Sequence, residues 1–513
     1  MPVMRKIMTG FTKEEAYLHG LARKSFLKFW SWPNLFRNQG HAANEGDGKE
    51  ICDLVVVFGN DILLFSDKRI EFNDKKDLTV SWARWSRSAI KESVDQVRGA
   101  RRWIQTYPDR IFLDNRCKEK LPLDLPPADQ MRFHSIVVCH GIDKYLEQYN
   151  GEPSFKFDNT IANEDHWDSR TSQPFTVGKI TNCGFVHVFS EATIALVLNE
   201  FDTIKDFISY IQQREQLLQY PKSISVSSES DIVQLYYENL DDTLTRSILS
   251  AKELKSNPVD IDKGGLSSLY LNVQYVAKKA ADKVSYFWDD LIESFTFHIL
   301  NGTSEHGNYQ TPNEIEPGLR VAAATGRFER RTLSQYFFDF YAKTLPEQRG
   351  TRLAFDPFDP TKAYLFLLVP YIQEYGTYED YREVRRGMLQ DYCAINKLLK
   401  PHVNTFLGIA AQTRKSNPRL TRAFLNEGQD YILFDASDWD EKAFAYAKEI
   451  HDEYIENGLL AERKLSAENF REFPDVSTGG VIFKQKINLK GRDRNKPCLC
   501  GSGKKLKHCC GSS

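Results

Sequence analysis

Residues 51–68 read Ile-Cys-Asp-Leu-Val-Val-Val-Phe-Gly-Asn-Asp-Ile-Leu-Leu-Phe-Ser-Asp-Lys, two apolar runs divided by Gly59-Asn60. β-Branched and aromatic runs of this length on either side of a Gly-Asn pair predict a β-hairpin with a two-residue turn. That turn sets the register: Phe58 faces Asp61, Val55 faces Leu64, Asp53 faces Ser66 and Ile51 faces Lys68. Because side chains alternate along a strand, Asp53, Ser66 and Lys68 share one face near the open end of the hairpin, and Cys52 and Asp67 share the other. An aspartate embedded among Ile, Cys, Leu and Val needs a partner, since burying an unpaired carboxylate is costly.

The surrounding periodicity extends the pattern. A helical pattern covers residues 13–30, a long helix residues 85–104, and, after a proline-rich stretch at 121–127, a strand residues 133–139. Further on, residues 193–218 are helical in period and the Ser-rich stretch 223–230 reads as a loop. A strand from Tyr364, a helix over 379–398, strands at 405–410 and 431–434 and a helix over 440–454 make a second α/β set. The expected divisions are 1–145, a largely helical 146–355, an α/β region 356–475, a basic linker 476–496 and a cysteine-rich end 497–513.

Composition narrows the class. With 513 residues, 41% apolar and 27% charged, the chain is globular and long enough for more than one folded unit. Its formal net charge of -2 and pI near 6.6 exclude a polycation that coats nucleic acid along its whole surface. The opening MPVMRKIMTGFTKEE has no apolar signal core, and the most apolar stretch, near Tyr364, falls far short of the roughly 20 residues that cross a bilayer. Five of the nine cysteines (Cys52, Cys117, Cys139, Cys183 and Cys393) are scattered, as expected of reduced thiols in a cytoplasmic protein. His134, His140 and His187 lie in strand-like contexts without a second ligand at useful spacing, and read as core or turn histidines.

The other four cysteines crowd the C-terminus. Cys498 and Cys500 form one close pair, and Cys509 and Cys510 the other. Such spacing offers four thiolates to a tetrahedral zinc ion, with Gly501-Ser502-Gly503 allowing the reversal between pairs. His508 could replace one of the last two cysteines. A second disposition, two disulfides, conflicts with the reduced character of the rest of the chain. The string from Pro497 to Gly511 resembles the SEC-C motif found at the tail of the SecA translocase. That resemblance implies a structural Zn²⁺ and a contact surface for nucleic acid or a protein partner. Six basic residues in 484–496 (Lys484, Lys486, Lys490, Arg492, Arg494, Lys496) would add nonspecific phosphate affinity.

The hairpin, flanked by a helix before and a helix and strand after, resembles the PD-(D/E)xK nuclease superfamily, whose core order is helix, three strands, helix, strand. The resemblance implies an α/β, restriction-endonuclease-like core with Asp53 as ligand of a catalytic Mg²⁺ or Mn²⁺ and Lys68 as the cation beside the reacting phosphate. The acid expected two residues before the lysine is Ser66 here. Asp67 could supply it through a bulge or a longer turn, or Glu92 from the following helix, where Glu92 and Gln96 stand one turn apart. An E-x-x-x-Q pairing of that kind recurs in such nucleases, and Glu15 matches an acidic position of their first helix. Read singly, Asp53 and Lys68 could also be a cross-strand ion pair and Glu92 and Gln96 a solvated helix face. The expected function is a metal-dependent nuclease acting on DNA, in prokaryotic defence or DNA processing. Its competitor is an inactive adaptor whose SEC-C tail recruits a partner.

Overall fold

A computed structural model describes residues 13–38, 48–238, 248, 259–262, 264, 266–301, 311–413, 428–460 and 471–474. The chain is mixed α/β. Helix α1 (Lys13–Trp30) leads into strand β1 (Ser31–Pro33), and the hairpin follows as β2 (Leu54–Phe58) and β3 (Asp61–Arg69). Its register pairs Phe58 with Asp61, Val55 with Leu64 and Leu54 with Phe65, as the two-residue turn predicts. Gly59 takes φ +57°, a conformation L side chains rarely adopt, and the guanidinium of Arg320 lies 3.3 Å from where a Cβ would stand. The positive φ selects glycine, while the flexible Arg320 side chain could yield the space.

Helices α2 (Leu78–Ser86) and α3 (Glu92–Thr106) are joined by a π-helical turn at Arg87–Lys91. The helix predicted over 85–104 therefore begins earlier, because Asp77 caps it by accepting from the backbone N–H groups of Thr79 and Val80 at 3.0 and 3.1 Å. Strand β4 (Arg132–His140) returns parallel to β3. Beyond helix α4 (Asp143–Asn150), strands β5 (Lys156–Ala162) and β6 (Thr176–Lys179) leave for another sheet, and β7 (Val186–Ser190) comes back parallel to β4. The first sheet thus runs β1-β2-β3-β4-β7, antiparallel across β1-β2-β3 and parallel across β3-β4-β7.

Both faces of this sheet are covered, which is why β2 and β3 read as unbroken apolar runs and not as an alternation. On one face the Phe65 ring packs against Phe26 of α1 at 5.8 Å. Alternation turns Ser66 to the other face, where α3 buries Val94, Val97, Ala100 and Ile104.

Helices α5 (Glu191–Glu200) and α6 (Ile204–Gln219) replace the single predicted helix over 193–218. They break where Thr203 turns its hydroxyl to the Asp206 N–H as an N-cap. The Ser-rich stretch predicted as a loop holds strand β8 (Ile224–Val226) and the start of helix α7 (Glu229–Glu238). With β9 (Val259–Ile261) a second sheet runs β9-β8-β5-β6.

Two compact units divide the chain, 1–269 with 282–468, and 270–281 with 469–513. In the smaller one helix α8 (Val273–Ala281) carries Lys278, whose ammonium pairs with Glu472 at 3.7 Å. In the larger one, helices α9 (Tyr286–Leu300), α10 (Pro312–Ala323) and α11 (Arg327–Lys343) precede a third sheet. It runs β10 (Gly350–Phe355), β11 (Lys362–Val369), β12 (Thr405–Gln412) and β13 (Asp430–Asp435). Helix α12 (Tyr378–Leu399) crosses between the parallel strands β11 and β12, and α13 (Glu441–Glu456) packs on α12. Among the described residues no helix is long and apolar enough to cross a membrane.

Candidate active site at the open end of the hairpin

Asp53 immediately precedes β2, and its carboxylate oxygen Oδ2 accepts a hydrogen bond from the backbone N–H of Asp67 on β3 at 2.6 Å. The side chain at the mouth of the hairpin is thus tied to the neighbouring strand. Ser66 is buried, and its hydroxyl donates to Oε1 of Gln96 at 2.7 Å. Two residues on, the Lys68 ammonium forms an ion pair with Glu92. Glu92 and Gln96 stand one turn apart on α3, so a single helical stripe meets a single strand face. Ser66, Lys68, Glu92 and Gln96 are therefore gathered together, with Asp53 beside them at the strand mouth.

Asp67 points the other way. Its side chain is wholly buried on the α1 side of the sheet, paired with Nε2 of His140 at the end of β4. The β3-β4 register runs unbroken through Asp67 and Lys68, so no bulge turns Asp67 toward Glu92. Nδ1 of His140 meets Oε2 of Glu191 at 2.8 Å, and Glu191 in turn pairs with Arg69 at 3.6 Å. Burial works against a charged imidazole, but the Asp67 and Glu191 carboxylates outweigh it and raise the His140 pKa. Beside this cluster, burial pushes the Asp143 carboxyl up while the Ala192 N–H donates to it at 3.1 Å. Burial likewise raises the thiols of Cys52 and Cys139.

The sequence marks His140 as a core or turn histidine, which its burial agrees with, but points to no partner for it and does not single out Glu191. Their signal is weak: a histidine closing a strand just before Gly141, and an acid opening a helix 51 residues later. His134 and His187 lie elsewhere, His134 on Asp61 at 2.9 Å and His187 buried beside Arg214, its pKa lowered by burial. Glu15 lies on α1, but its side chain is outside the described residues. So are Cys498, Cys500, Cys509 and Cys510 with the basic linker.

Part of the basic helix surface is already engaged. Lys91 pairs with Asp95 at 2.7 Å, Arg98 approaches the same carboxylate at 3.9 Å, and Arg101 donates to the Cys183 carbonyl at 2.6 Å. Arg84 and Arg87 are exposed. Among the described residues no group of three or more His, Cys, Asp or Glu side chains is disposed to hold a metal ion. The hard oxygen donors here are Glu92 and the Gln96 amide oxygen on α3, the latter accepting from Ser66, and the Asp53 carboxylate at the hairpin mouth.

A family model described as the SEC-C motif matches residues 494–512. The tail carries that motif. No curated protein and no solved structure matches the chain.

Proposed function

We propose that this protein is a metal-dependent nuclease of the PD-(D/E)xK type that cleaves DNA, in prokaryotic defence or DNA processing, with a zinc-binding SEC-C tail that adds a nucleic-acid or protein contact. The observation that carries the reading is the meeting of Ser66, Lys68, Glu92 and Gln96 beside Asp53. It is supported by the order α1, β1, β2, β3, α2 with α3, β4, which matches the helix, three strands, helix, strand of that superfamily once the short strands Phe36–Arg37 and Lys49–Glu50, which form a sheet of their own, are set aside. The strand pairing, antiparallel over the three and parallel to the last, agrees.

The donor set fits Mg²⁺ or Mn²⁺ better than zinc. Magnesium is held through one or two carboxylates plus waters and substrate phosphates, so a three-ligand protein cage is not required. When bound, the ion polarises the phosphate and lowers the pKa of the attacking water. Asp53 holds it, its carboxylate aimed by the Asp67 N–H. Glu92, exposed and already at the Lys68 ammonium, supplies the acid missing at Ser66. Lys68 sets a positive charge where the nonbridging oxygens develop negative charge. Gln96 anchors Ser66 and keeps its own amide beside the donors. The deciding experiment is cleavage of DNA and RNA with Mg²⁺, with Mn²⁺ and with EDTA. Metal-dependent DNA cleavage sustains the proposal.

A second reading, a noncatalytic adaptor, draws on the fact that Ser66 is neutral and Lys68 is already compensated by Glu92. It predicts nucleic-acid or protein binding without cleavage.

Two predictions concern the tail. The purified protein should carry one zinc per chain, lost when Cys498 and Cys500 are both changed to Ser, by elemental analysis of protein prepared without chelator. Deleting residues 484–513 should weaken DNA binding and flatten its salt dependence, because each phosphate contact adds about 0.9 to the slope of log K against log salt. An unchanged slope would make the tail a protein-recruitment element.

A further inference from the structure

Asp67 touches both faces of the first sheet. Through its backbone N–H it holds the Asp53 carboxylate at 2.6 Å, and through its side chain, on the opposite face, it meets Nε2 of His140. His140 is pinned from its other ring nitrogen by Glu191 at 2.8 Å, and Glu191 by Arg69 at 3.6 Å. A wholly buried carboxylate tolerates little displacement, because leaving its partner exposes an uncompensated charge in the interior. Whatever fixes the Asp67 side chain therefore also fixes the direction of its N–H. The chain Arg69, Glu191, His140, Asp67 ends on Asp53, a carboxylate that the nuclease reading assigns to the metal.

We propose that His140 and Glu191 are positioning residues for Asp53, acting through Asp67 from the far side of the sheet. The inference rests on the nuclease reading for its consequence and on these two hydrogen bonds and two ion pairs for its geometry. Neither residue touches metal or substrate. Their contribution is to hold the hydrogen bond that orients a ligating carboxylate, and loss of such a partner lowers metal affinity on the order of 10- to 100-fold. A merely structural role would lower thermal stability without moving the metal midpoint.

The test uses the full chain and two readouts: Mn²⁺ titration followed by the EPR signal of the free ion, and amide hydrogen exchange of the peptide carrying Asp67. Folded His140→Phe should raise the Mn²⁺ midpoint about tenfold or more and speed exchange at Asp67. His140→Gln, whose amide can still donate to Asp67, should restore both. Glu191→Gln keeps a hydrogen-bonding group at its position and serves if His140→Phe does not fold; it should move both readouts in the same direction. Wild-type midpoints and wild-type exchange in a folded His140→Phe or Glu191→Gln variant overturn the proposal. Should Asp53→Ala leave Mn²⁺ binding unchanged, the nuclease reading fails on its own account. Exchange at Asp67 then decides: protection lost in His140→Phe (or Glu191→Gln) and regained in His140→Gln sustains the positioning role, and equal protection in all overturns it.

Discussion

Asp53→Ala is expected to reduce metal-dependent DNA cleavage to background while leaving DNA binding intact. The orientation of this carboxylate is set by a backbone N–H, and among the described residues no group of three His, Cys, Asp or Glu side chains stands ready to replace it. On the proposed function, affinity for DNA would come instead from lysines and arginines of α2, α3 and the tail, so fluorescence anisotropy should change little. Lys68→Ala should lose roughly 10²- to 10³-fold in rate, the usual cost of removing one electrostatic donor aimed at developing charge. Glu92→Gln should lower the rate as well if, as proposed, the carboxylate paired with Lys68 stands in for the acid absent at Ser66. Asp67→Asn should act differently, through stability and metal affinity, because its side chain faces His140 on the other side of the sheet. Initial rates at saturating Mg²⁺ separate these cases. Wild type and Asp53 and Lys68 variants that are equally inert on DNA and RNA, across several metals, would replace the nuclease with the adaptor.

Why the hairpin could be read from sequence is a matter of local physics. A two-residue turn leaves one register, and the β-branched runs on both sides have no competing helical period, so the pairing from Phe58–Asp61 to Leu54–Phe65 was legible; the ladder stops there, and the expected pairs Asp53–Ser66 and Ile51–Lys68 lie beyond it. Helix α1 was equally legible from its periodicity. Strand β1 was not: three residues, Ser31-Trp32-Pro33, carry no alternation and end in a proline, and only the pairing with β2 makes them a strand. The Ser-rich stretch misled for the opposite reason. Its last two serines are buried and satisfied, Ser228 by Asp231 at 2.8 Å and Ser230 by Glu152, so polar composition there marked a capped helix start and not a solvent loop. At the candidate site the same division holds. The Ser66–Gln96 bond joins residues 30 apart through a crossover helix, whose stripe could be inferred; the His140–Glu191 contact joins β4 to α5 around an excursion into another sheet, which no local pattern encodes.

Asp289→Ala is expected to destabilise the larger unit by roughly 3–5 kcal/mol, read as a lower denaturation midpoint, because it leaves two buried arginines without their shared carboxylate. Oδ2 of Asp289 accepts from Arg327 at 2.8 Å and Oδ1 from Arg330 at 2.5 Å. Arg330 is fully buried, and its remaining donors are spent on the carbonyls of Thr325 and Ala323 at 3.0 and 2.8 Å. Arg327 keeps a second acid, Asp202, at 2.8 Å, whose carboxyl is pushed up by burial but lowered further by Arg327. The two arginines therefore differ, and Arg330 carries most of the expected loss. Changing Asp289 to Leu and Arg330 to Met together should recover much of it, since an apolar pair of similar volume removes both desolvation costs at once. An exposed pair sets the scale for comparison: Arg170, 87% exposed, meets Asp168 at 2.6 Å, and Asp168→Ala should move the denaturation midpoint far less, because water screens that pair. Equal losses for Asp289→Ala and Asp168→Ala would mean that water reaches Arg330 in solution, and that the α9–α11 contact is held by its apolar side chains instead of by this ion network.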